Sequence, residues 1–328
     1  MTATQPLLRI ENLQKHFPVR LGAFGERSAT VHALDDASFD IVEGETLSLV
    51  GESGCGKSTT GFAILNLHRP SGGRVMYKGE NIAVFDENRM RPIRRDLQIV
   101  FQDPYSTLNP RMTIGEAVGE PFLFHKLCSK AELPERVNQL LADVGLPARF
   151  AQRYPHELSG GQRQRVAIAR ALACQPKFIV CDEAISALDV SIQAQIINLL
   201  LDLQEKYGLT YLFIAHDLAV VRHISDRVGV MYLGRLAELG SRGQVFSNPL
   251  HPYTKALLSA VPEADPVAER NRRRQVLQGD VPSPIDPPAG CRFHTRCPIA
   301  MEKCRSVVPE WRDTGAGHFV ACHAVEAG

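Results

Sequence analysis

The sequence predicts an α/β fold: a mostly parallel sheet core, an antiparallel β subdomain, a helical subdomain and a small Cys-rich C-terminal extension. Three observations carry that expectation. A short apolar run, Leu47–Val50, leads through a glycine-rich stretch into Phe62, Ile64, Leu65 and Leu67, the order strand, turn, packed helix. Two later apolar runs, Phe178–Cys181 and Thr210–Ala215, suit buried parallel strands and alternate with helical segments. Cys291, Cys297, Cys304 and Cys322, four of the eight cysteines, crowd the C-terminal end.

In chain order, Leu7–Phe17 and Val31–Ile41 alternate apolar and polar side chains, as antiparallel strands do, and Arg20–Thr30 between them reads as a polar loop. Val75–Tyr77 and Gln98–Gln102 are the next strands. Thr113–Gly145 turns helical, with Val137, Leu140, Leu141 and Val144 at three- and four-residue spacing. A helix over Ser159–Ala173 follows, its N-terminus expected to be bare at Gly160 and Gly161, and Pro176 stops it. After the strand Phe178–Cys181 come Asp182 and Glu183, a helix through Ile192, Ile196, Leu199, Leu200 and Leu203 to Gly208, and the strand Thr210–Ala215 ending on His216. Beyond Gly240 prolines interrupt regular structure, and Arg270–Arg274 reads as a solvated basic face. The expected domains are 1–262, with a helical subdomain at about 103–175, and the extension 263–328.

At 328 residues, with 44% hydrophobic and 22% charged side chains, the chain can bury a large core. Its net charge of +1 offers no general pull toward nucleic acid. No apolar run is long enough to span a bilayer, and Met1–Pro6 lacks the charged start and apolar core of a signal peptide, so the chain is expected in the cytoplasm. Crowded cysteines in a reducing compartment suggest metal before disulfide.

The chemistry concentrates in Gly51-Glu52-Ser53-Gly54-Cys55-Gly56-Lys57-Ser58-Thr59, a glycine, four residues, then Gly-Lys-Ser. This is the pattern of a P-loop NTPase. The tail of ATP carries several negative charges, and backbone N–H groups at a helix N-terminus hold them when glycines let the chain curl closely. Lys57 is expected to reach the outer phosphates and Ser58 to join the shell of Mg²⁺. Asp182, at a strand end, is expected to hold Mg²⁺, and Glu183 to polarise the attacking water. His216 at the tip of the next strand would contact the γ-phosphate and orient water, and Gln102 would sense Mg²⁺ or water.

With these residues in place the chain resembles the nucleotide-binding subunits of ABC transporters. Leu158-Ser159-Gly160-Gly161-Gln162 is similar to that family's signature, Ser186-Ala187-Leu188-Asp189 to its D-loop, Gln102 to its Q-loop and His216 to its switch histidine. Phe17 lies where the family places an aromatic that stacks on adenine. The resemblance covers roughly residues 7–262 and implies an ABC-type nucleotide-binding domain. It also implies a shared site: the signature Ser159, Gly160, Gly161 and Gln162 of one subunit, with Asp189 nearby, closes over ATP held by another.

Finer features resemble the ATP-binding subunits of oligopeptide and dipeptide importers: Gln102-Asp103-Pro104, Leu108-Asn109-Pro110-Arg111, the run Ala187–Gln195, Asn248-Pro249 and His251-Pro252-Tyr253-Thr254. Nickel importers share much of this pattern. Ala184-Ile185 stands where the wider family often has proline, and both acids remain. The branch implies a second, paralogous ATPase subunit in a heterodimer, two integral permease subunits, and a solute-binding protein that acts through them. It implies no nucleic acid and a peripheral place on the cytoplasmic face of the bacterial inner membrane. A soluble ABC ATPase acting on ribosomes or DNA is the competing class; a single core without a long coiled-coil insertion weighs against it.

In the tail, the intervals between Cys291, Cys297, Cys304 and Cys322 differ from the short pairs of a typical zinc finger. Four thiolates suit Zn²⁺ or a four-iron cluster, or remain unligated. The tail resembles the C-terminal extension of peptide-importer subunits, some of which hold a [4Fe-4S] cluster, and this resemblance favours the cluster over Zn²⁺. His294, His318 and His323 stand as reserve ligands.

Overall fold

The computed structural model describes residues 6–21, 27–103, 107–261, 275 and 277–325. Pro104 and the basic run Arg270–Arg274 lie outside them. The strands, in chain order, are β1 (Leu8–Leu21), β2 (Arg27–Ile41), β3 (Thr46–Val50), β4 (Gly72–Tyr77), β5 (Glu80–Asn81), β6 (Leu97–Val100), β7 (Phe178–Asp182), β8 (Thr210–Ile214), β9 (Arg227–Tyr232), β10 (Arg235–Ser241), β11 (Arg312–Asp313) and β12 (Phe319–Val320). The chain forms two compact units, one of Met1–Ile41, Leu47–Val84 and Ala215–Gly328, the other of Val42–Thr46 and Phe85–Ile214.

In the first unit an antiparallel sheet runs in the order β2-β1-β4-β5. Its long hairpin narrows the expected loop at Arg20–Thr30: both ends of that stretch are strand, and residues 22–26 lie outside the described residues. The ladder continues through Pro18↔Thr30, Val19↔Ala29 and Arg20↔Ser28 to Leu21↔Arg27. Polar side chains do not stop a strand whose neighbour satisfies its backbone.

The unit's other strands are β3, parallel to β9, then β10 antiparallel to β9, β12 antiparallel to β10, and β11 antiparallel to β12. β9 and β10 are buried along nearly their whole length, and the sequence reading did not find them. They are joined by the two-residue turn Leu233-Gly234, with φ of 45° and 79°, and Tyr232 pairs with Arg235. Such a turn needs two positive φ values, and leucine is a poor advertisement for one.

Beyond Gly240 the expected irregularity gives way to two short helices, Arg242–Ser247 and Pro252–Ala260. Pro252 starts a helix rather than breaking one, because the first turn has no internal acceptor for its missing N–H. The phosphate-loop helix spans Lys57–Ile64; Ile64 and Leu65 are buried as expected, whereas Leu67 lies past its end and is exposed.

The second unit holds β8, β7 and β6, all parallel, with Phe178 facing Thr210 and Leu97 facing Phe178. β7 and β8 are buried throughout, the state their unbroken apolar runs require. Helices Ile114–Phe124 and Leu133–Asp143 fill the predicted helical stretch and bury Val118, Phe122, Val137, Leu140 and Leu141. Glu87–Asp96, Gly160–Leu172 and Val190–Tyr207 are further helices of the unit, the last ended by Gly208 at φ 63°. Among the described residues no helix is long and apolar enough to cross a membrane.

Candidate functional site

The glycine-rich stretch folds as a tight loop between β3 and the helix Lys57–Ile64, and loop and helix lie within the first unit. Gly51 has φ 149°, and a side-chain carbon there would lie 2.2 Å from the Met231 carbonyl oxygen. One at Gly56, φ 105°, would lie 2.3 Å from the Ala33 carbonyl oxygen. No residue but glycine fits either place. Gly54, φ 77°, has open space around it and is exposed with Ser53. Gly234 donates its N–H to the Cys55 carbonyl at 2.8 Å, pinning the loop to the β9–β10 turn.

Lys57 is buried, and its ammonium donates to the carbonyl oxygens of Gly51 (2.9 Å) and Glu52 (3.2 Å). The charge that an anion would meet is thus folded over the loop and held by neutral acceptors, the Cys55 sulfur at 3.9 Å among them. Ser58 and Thr59 are half-buried on the first helical turn. The helix starts at Gly56 without a side-chain cap, so its end presents positive partial charge. Cys55 is buried, which pushes its thiol up and leaves backbone, not sulfur, to face a ligand.

In the second unit β7 delivers two carboxylates in succession. Asp182 is buried at the strand's last position. Glu183, half-buried, has φ 46°, an uncommon conformation for a non-glycine residue. It is held there by its N–H donating to Ile214 O (3.0 Å) and its carbonyl accepting from Ser186 N and Oγ, both 3.0 Å. Gln102 is exposed two residues beyond β6, whose Val100 pairs with Cys181.

Ser159 caps the helix Gly160–Leu172, and this corrects the expectation of a bare N-terminus. Its hydroxyl accepts from Gln162 N at 3.4 Å, and Gln162 Oε1 accepts from Ser159 N at 3.0 Å, a reciprocal box. A side-chain carbon at Gly161 would lie 2.6 Å from Ile192 Cγ2, so the glycine lets two helices meet. A side-chain carbon at Gly160 would lie 3.4 Å from Leu188 Cδ2, an ordinary contact. Gln193 Nε2 fixes the segment before Asp189 by donating to Ile185 O (3.1 Å) and Leu188 O (3.0 Å), leaving Asp189 exposed.

Phe17, in β1, is half-buried, with the His68 ring edge-on at 5.4 Å and the Lys15 ammonium over its ring at 4.8 Å. His216, in the first unit, is exposed just before the helix Leu218–Ile224, which Asp217 caps by accepting from Ala219 N at 2.8 Å.

The four tail cysteines gather in the first unit. Cys291 N donates to Cys304 O at 2.8 Å, and the other three thiols all interact electrostatically with Cys291. Burial pushes the Cys291 thiol up to about 11 and raises that of Cys297, so neither is a nucleophile at neutral pH. No three of the four sulfurs lie within 4.8 Å of one another. The reserve histidines are engaged elsewhere: His294 Nδ1 with Cys291 O, His323 Nε2 with Val307 O, and buried His318 Nε2 with Glu238, each at 2.8 Å.

Sequence reasoning missed three residues at the phosphate loop. Glu52 N donates to Tyr253 Oη at 2.8 Å, and the Glu52 carboxylate receives Arg296 Nη1 and Nη2 at 2.7 and 3.1 Å. Tyr253 had a signal, its place in the run His251–Thr254. Arg296 had none.

The ABC transporter family profile matches residues 34–186, and the profile of the oligopeptide/dipeptide transporter C-terminal region matches 237–304. The chain is 52% identical over 326 residues to the oligopeptide transport ATP-binding protein AppF of Bacillus subtilis, covering 98% of this chain and 99% of that one. It is 51% identical over 317 residues to a probable peptide ABC transporter ATP-binding protein of Sinorhizobium fredii, covering 97% and 89%. Among solved structures it matches a dimeric ATP-binding cassette in a post-hydrolysis state with ADP and Pi, at TM-score 0.62 and 34% identity over 72% of this chain and 98% of that one. CbiO1 of Clostridium perfringens, part of an ABC transporter complex, matches at TM-score 0.64 and 29% identity over 74% and 91%.

Proposed function

The chain belongs to the ABC transporter family as an ATP-binding subunit of the oligopeptide/dipeptide importer branch, and from that premise we propose how its residues divide the work. It binds and hydrolyses ATP to energise the import of di- and oligopeptides. The observation that carries the reading is the phosphate loop: two glycines that no other residue can replace, an uncapped helix end, and Lys57 held over both.

Gly51, Ser53, Gly54, Cys55, Gly56 and Thr59 offer backbone to the phosphates, Lys57 neutralises them, and Phe17 takes the adenine. Ser58, Gln102 and Asp182 are the residues we assign to hold Mg²⁺, which would neutralise phosphate charge when bound. Glu183 accepts a proton from the attacking water and His216 orients it. The unusual backbone of Glu183, fixed by three hydrogen bonds, supports a carboxylate aimed by its surroundings. Ser159, Gly160, Gly161, Gln162 and Asp189 act on nucleotide bound to a second ATPase subunit, a paralogue in a heterodimer.

We assign the ATPase domain to 1–262, with its helical subdomain at 103–175, and a Cys-rich extension to 263–328. We assign Cys291, Cys297, Cys304 and Cys322, which gather around Cys291, to a [4Fe-4S] cluster with Zn²⁺ as the alternative, and such a group would act as a structural tie. Of the two permease subunits, one docks on the second unit near Gln102, where a cavity of about 340 Å³ is lined by Val100, Phe101, Leu108, Phe124 and Arg170. Its aromatic wall and the Arg170–Glu120 ion pair at 2.9 Å suit an amphipathic helix. The protein then works at the cytoplasmic face of the bacterial inner membrane, with a solute-binding protein acting through the permeases.

Reconstitution with both permeases and the second ATPase tests the reading. Di- or oligopeptide delivered by its binding protein is expected to stimulate ATP hydrolysis. Glu183→Gln is expected to retain ATP binding and lower turnover about 10²- to 10⁴-fold. Peptide-independent hydrolysis, or full turnover in Glu183→Gln, overturns it.

A further inference from the structure

The C-terminal tail reaches the back of the phosphate loop through two arginines, each next to a cysteine of the tail set. Arg296 makes a two-pronged ion pair with Glu52, the second residue of the loop. Its side chain is 8% exposed and that of Glu52 28%, so the pair is largely shielded from water. The other polar groups of Glu52 are also taken. Its N–H donates to Tyr253 Oη, and its carbonyl accepts from the Lys57 ammonium. Glu52 therefore links the phosphate-binding lysine on one side to the tail on the other.

Arg292 grips the same loop by a second route. It donates to the Leu233 carbonyl and to the Asp35 carboxylate. The turn containing Leu233 is the one whose Gly234 N–H holds the Cys55 carbonyl, and Asp35 N donates to Gly234 O at 2.8 Å. Burial pushes the Asp35 carboxyl up, but Arg292, Arg235 and His16 outweigh it and hold it below its usual value. Asp35 thus stays ionised opposite its arginines.

Between the two arginines Phe293 is 2% exposed and wedged among Tyr232, Tyr253 and His251, with ring centres 5.1 to 5.5 Å apart. Arg296 N donates to Phe293 O at 3.0 Å, which sets the spacing of the two guanidinium groups. Arg292 follows Cys291 and Arg296 precedes Cys297, so the cysteine set and the phosphate loop share one support.

We propose that the tail braces the nucleotide site, with Arg296 and Arg292 as positioning residues that hold the phosphate loop in its binding shape. Arg296 also neutralises a carboxylate that would otherwise stand beside the polyphosphate and repel it. This gives the tail a part in ATP binding that the phosphate loop motif does not announce. The inference rests on the reading of the chain as an ATPase.

The test is equilibrium titration of the full chain with a fluorescent ATP analogue, together with steady-state hydrolysis in the reconstituted transporter. Arg296→Ala is expected to weaken nucleotide binding about tenfold, equivalent to about 1.4 kcal/mol. KM for ATP should rise while kcat at saturating ATP is retained, a split that mere docking of the tail would not produce. Arg296→Lys keeps the charge but loses the two-pronged grip, and is expected to weaken binding about threefold. If Arg296→Ala does not fold, Arg296→Lys carries the decision. Wild-type affinity and KM in a folded variant overturn the brace. Failure of the wild-type chain to bind nucleotide overturns instead the ATPase reading.

Discussion

Two helix N-termini in this chain carry the residues assigned to nucleotide, and they are built in opposite ways. The helix Lys57–Ile64 begins at Gly56 in a left-handed conformation with no side-chain cap, its loop pressed against backbone that admits only glycine. The helix Gly160–Leu172 begins at an exposed Ser159 that closes its own end with Gln162. The first end carries no side-chain cap, so its positive partial charge faces outward, and steric confinement fixes the direction of its backbone. The second is satisfied alone, by a cap hydrogen bond stretched to 3.4 Å. An anion arriving there exchanges with a weak internal acceptor, which suits a surface that closes on nucleotide brought by another subunit.

The largest expected effect tests the confinement of the first end. Gly51→Ala and Gly56→Ala would each place a carbon within 2.3 Å of a carbonyl oxygen, so both are expected to abolish ATP binding in titration. Gly54→Ala meets no atom within 4 Å and pays only for its positive φ, about 1 to 2 kcal/mol. Its binding should fall tenfold or so and remain measurable. Equal losses at all three positions would show that steric walls do not shape the loop.

How much of this was legible in the sequence follows from the same contrast. The phosphate loop, β7 with its two acids, and β8 could be read because their signals are contiguous: an apolar run, then the chemistry. The strands β9 and β10 were missed because Leu233 and Gly234 turn the chain without a familiar turn pair. The hairpin of β1 and β2 was cut short because Arg20, Ser28 and Thr30 look like loop residues, although cross-strand bonds keep them extended. Arg296 and Glu52 are 244 positions apart. No local pattern marks such a pair, since neither residue needs the other to form its own turn.

A smaller effect is expected at the second end. Gly161→Ala would bring a carbon to 2.6 Å from Ile192 Cγ2 and force the helices Gly160–Leu172 and Val190–Tyr207 apart. A loss of about 1 to 3 kcal/mol in urea unfolding is expected, in the range of overpacked cores. Gly160→Ala, at 3.4 Å from Leu188, should cost less than about 1 kcal/mol. Equal costs would mean that the signature glycines serve backbone freedom rather than close approach.

A third helix end makes the comparison sensitive to pH. His251 caps the helix Pro252–Ala260 by accepting from Tyr253 N at 3.1 Å, which requires a neutral ring. Burial, with a smaller contribution from Lys255, pushes its pKa down to about 3. Above its ordinary value of 6.5 the ring is neutral folded or unfolded, and the cap is intact. As pH falls below 6.5 only the unfolded chain takes the proton, so stability drops by about 1.4 kcal/mol per pH unit until about pH 3. His251→Asn, which can still cap, is expected to flatten that slope in denaturant titrations between pH 6.5 and 4.

The smallest effect on stability is expected at Ser159, and it separates capping from binding. Because its cap bond is long, Ser159→Ala should cost no more than about 1 kcal/mol. Ser159→Asp keeps an acceptor at the same place and adds a negative charge to the positive end of the helix, so unfolding should show no loss. If the serine serves only the helix, the aspartate variant is also as active as the wild type in the reconstituted transporter. If it meets a phosphate on the second ATPase subunit, the aspartate puts a like charge where that phosphate must sit, and hydrolysis falls despite unchanged stability. The two roles then part in one variant, with unfolding reporting the cap and turnover reporting the anion.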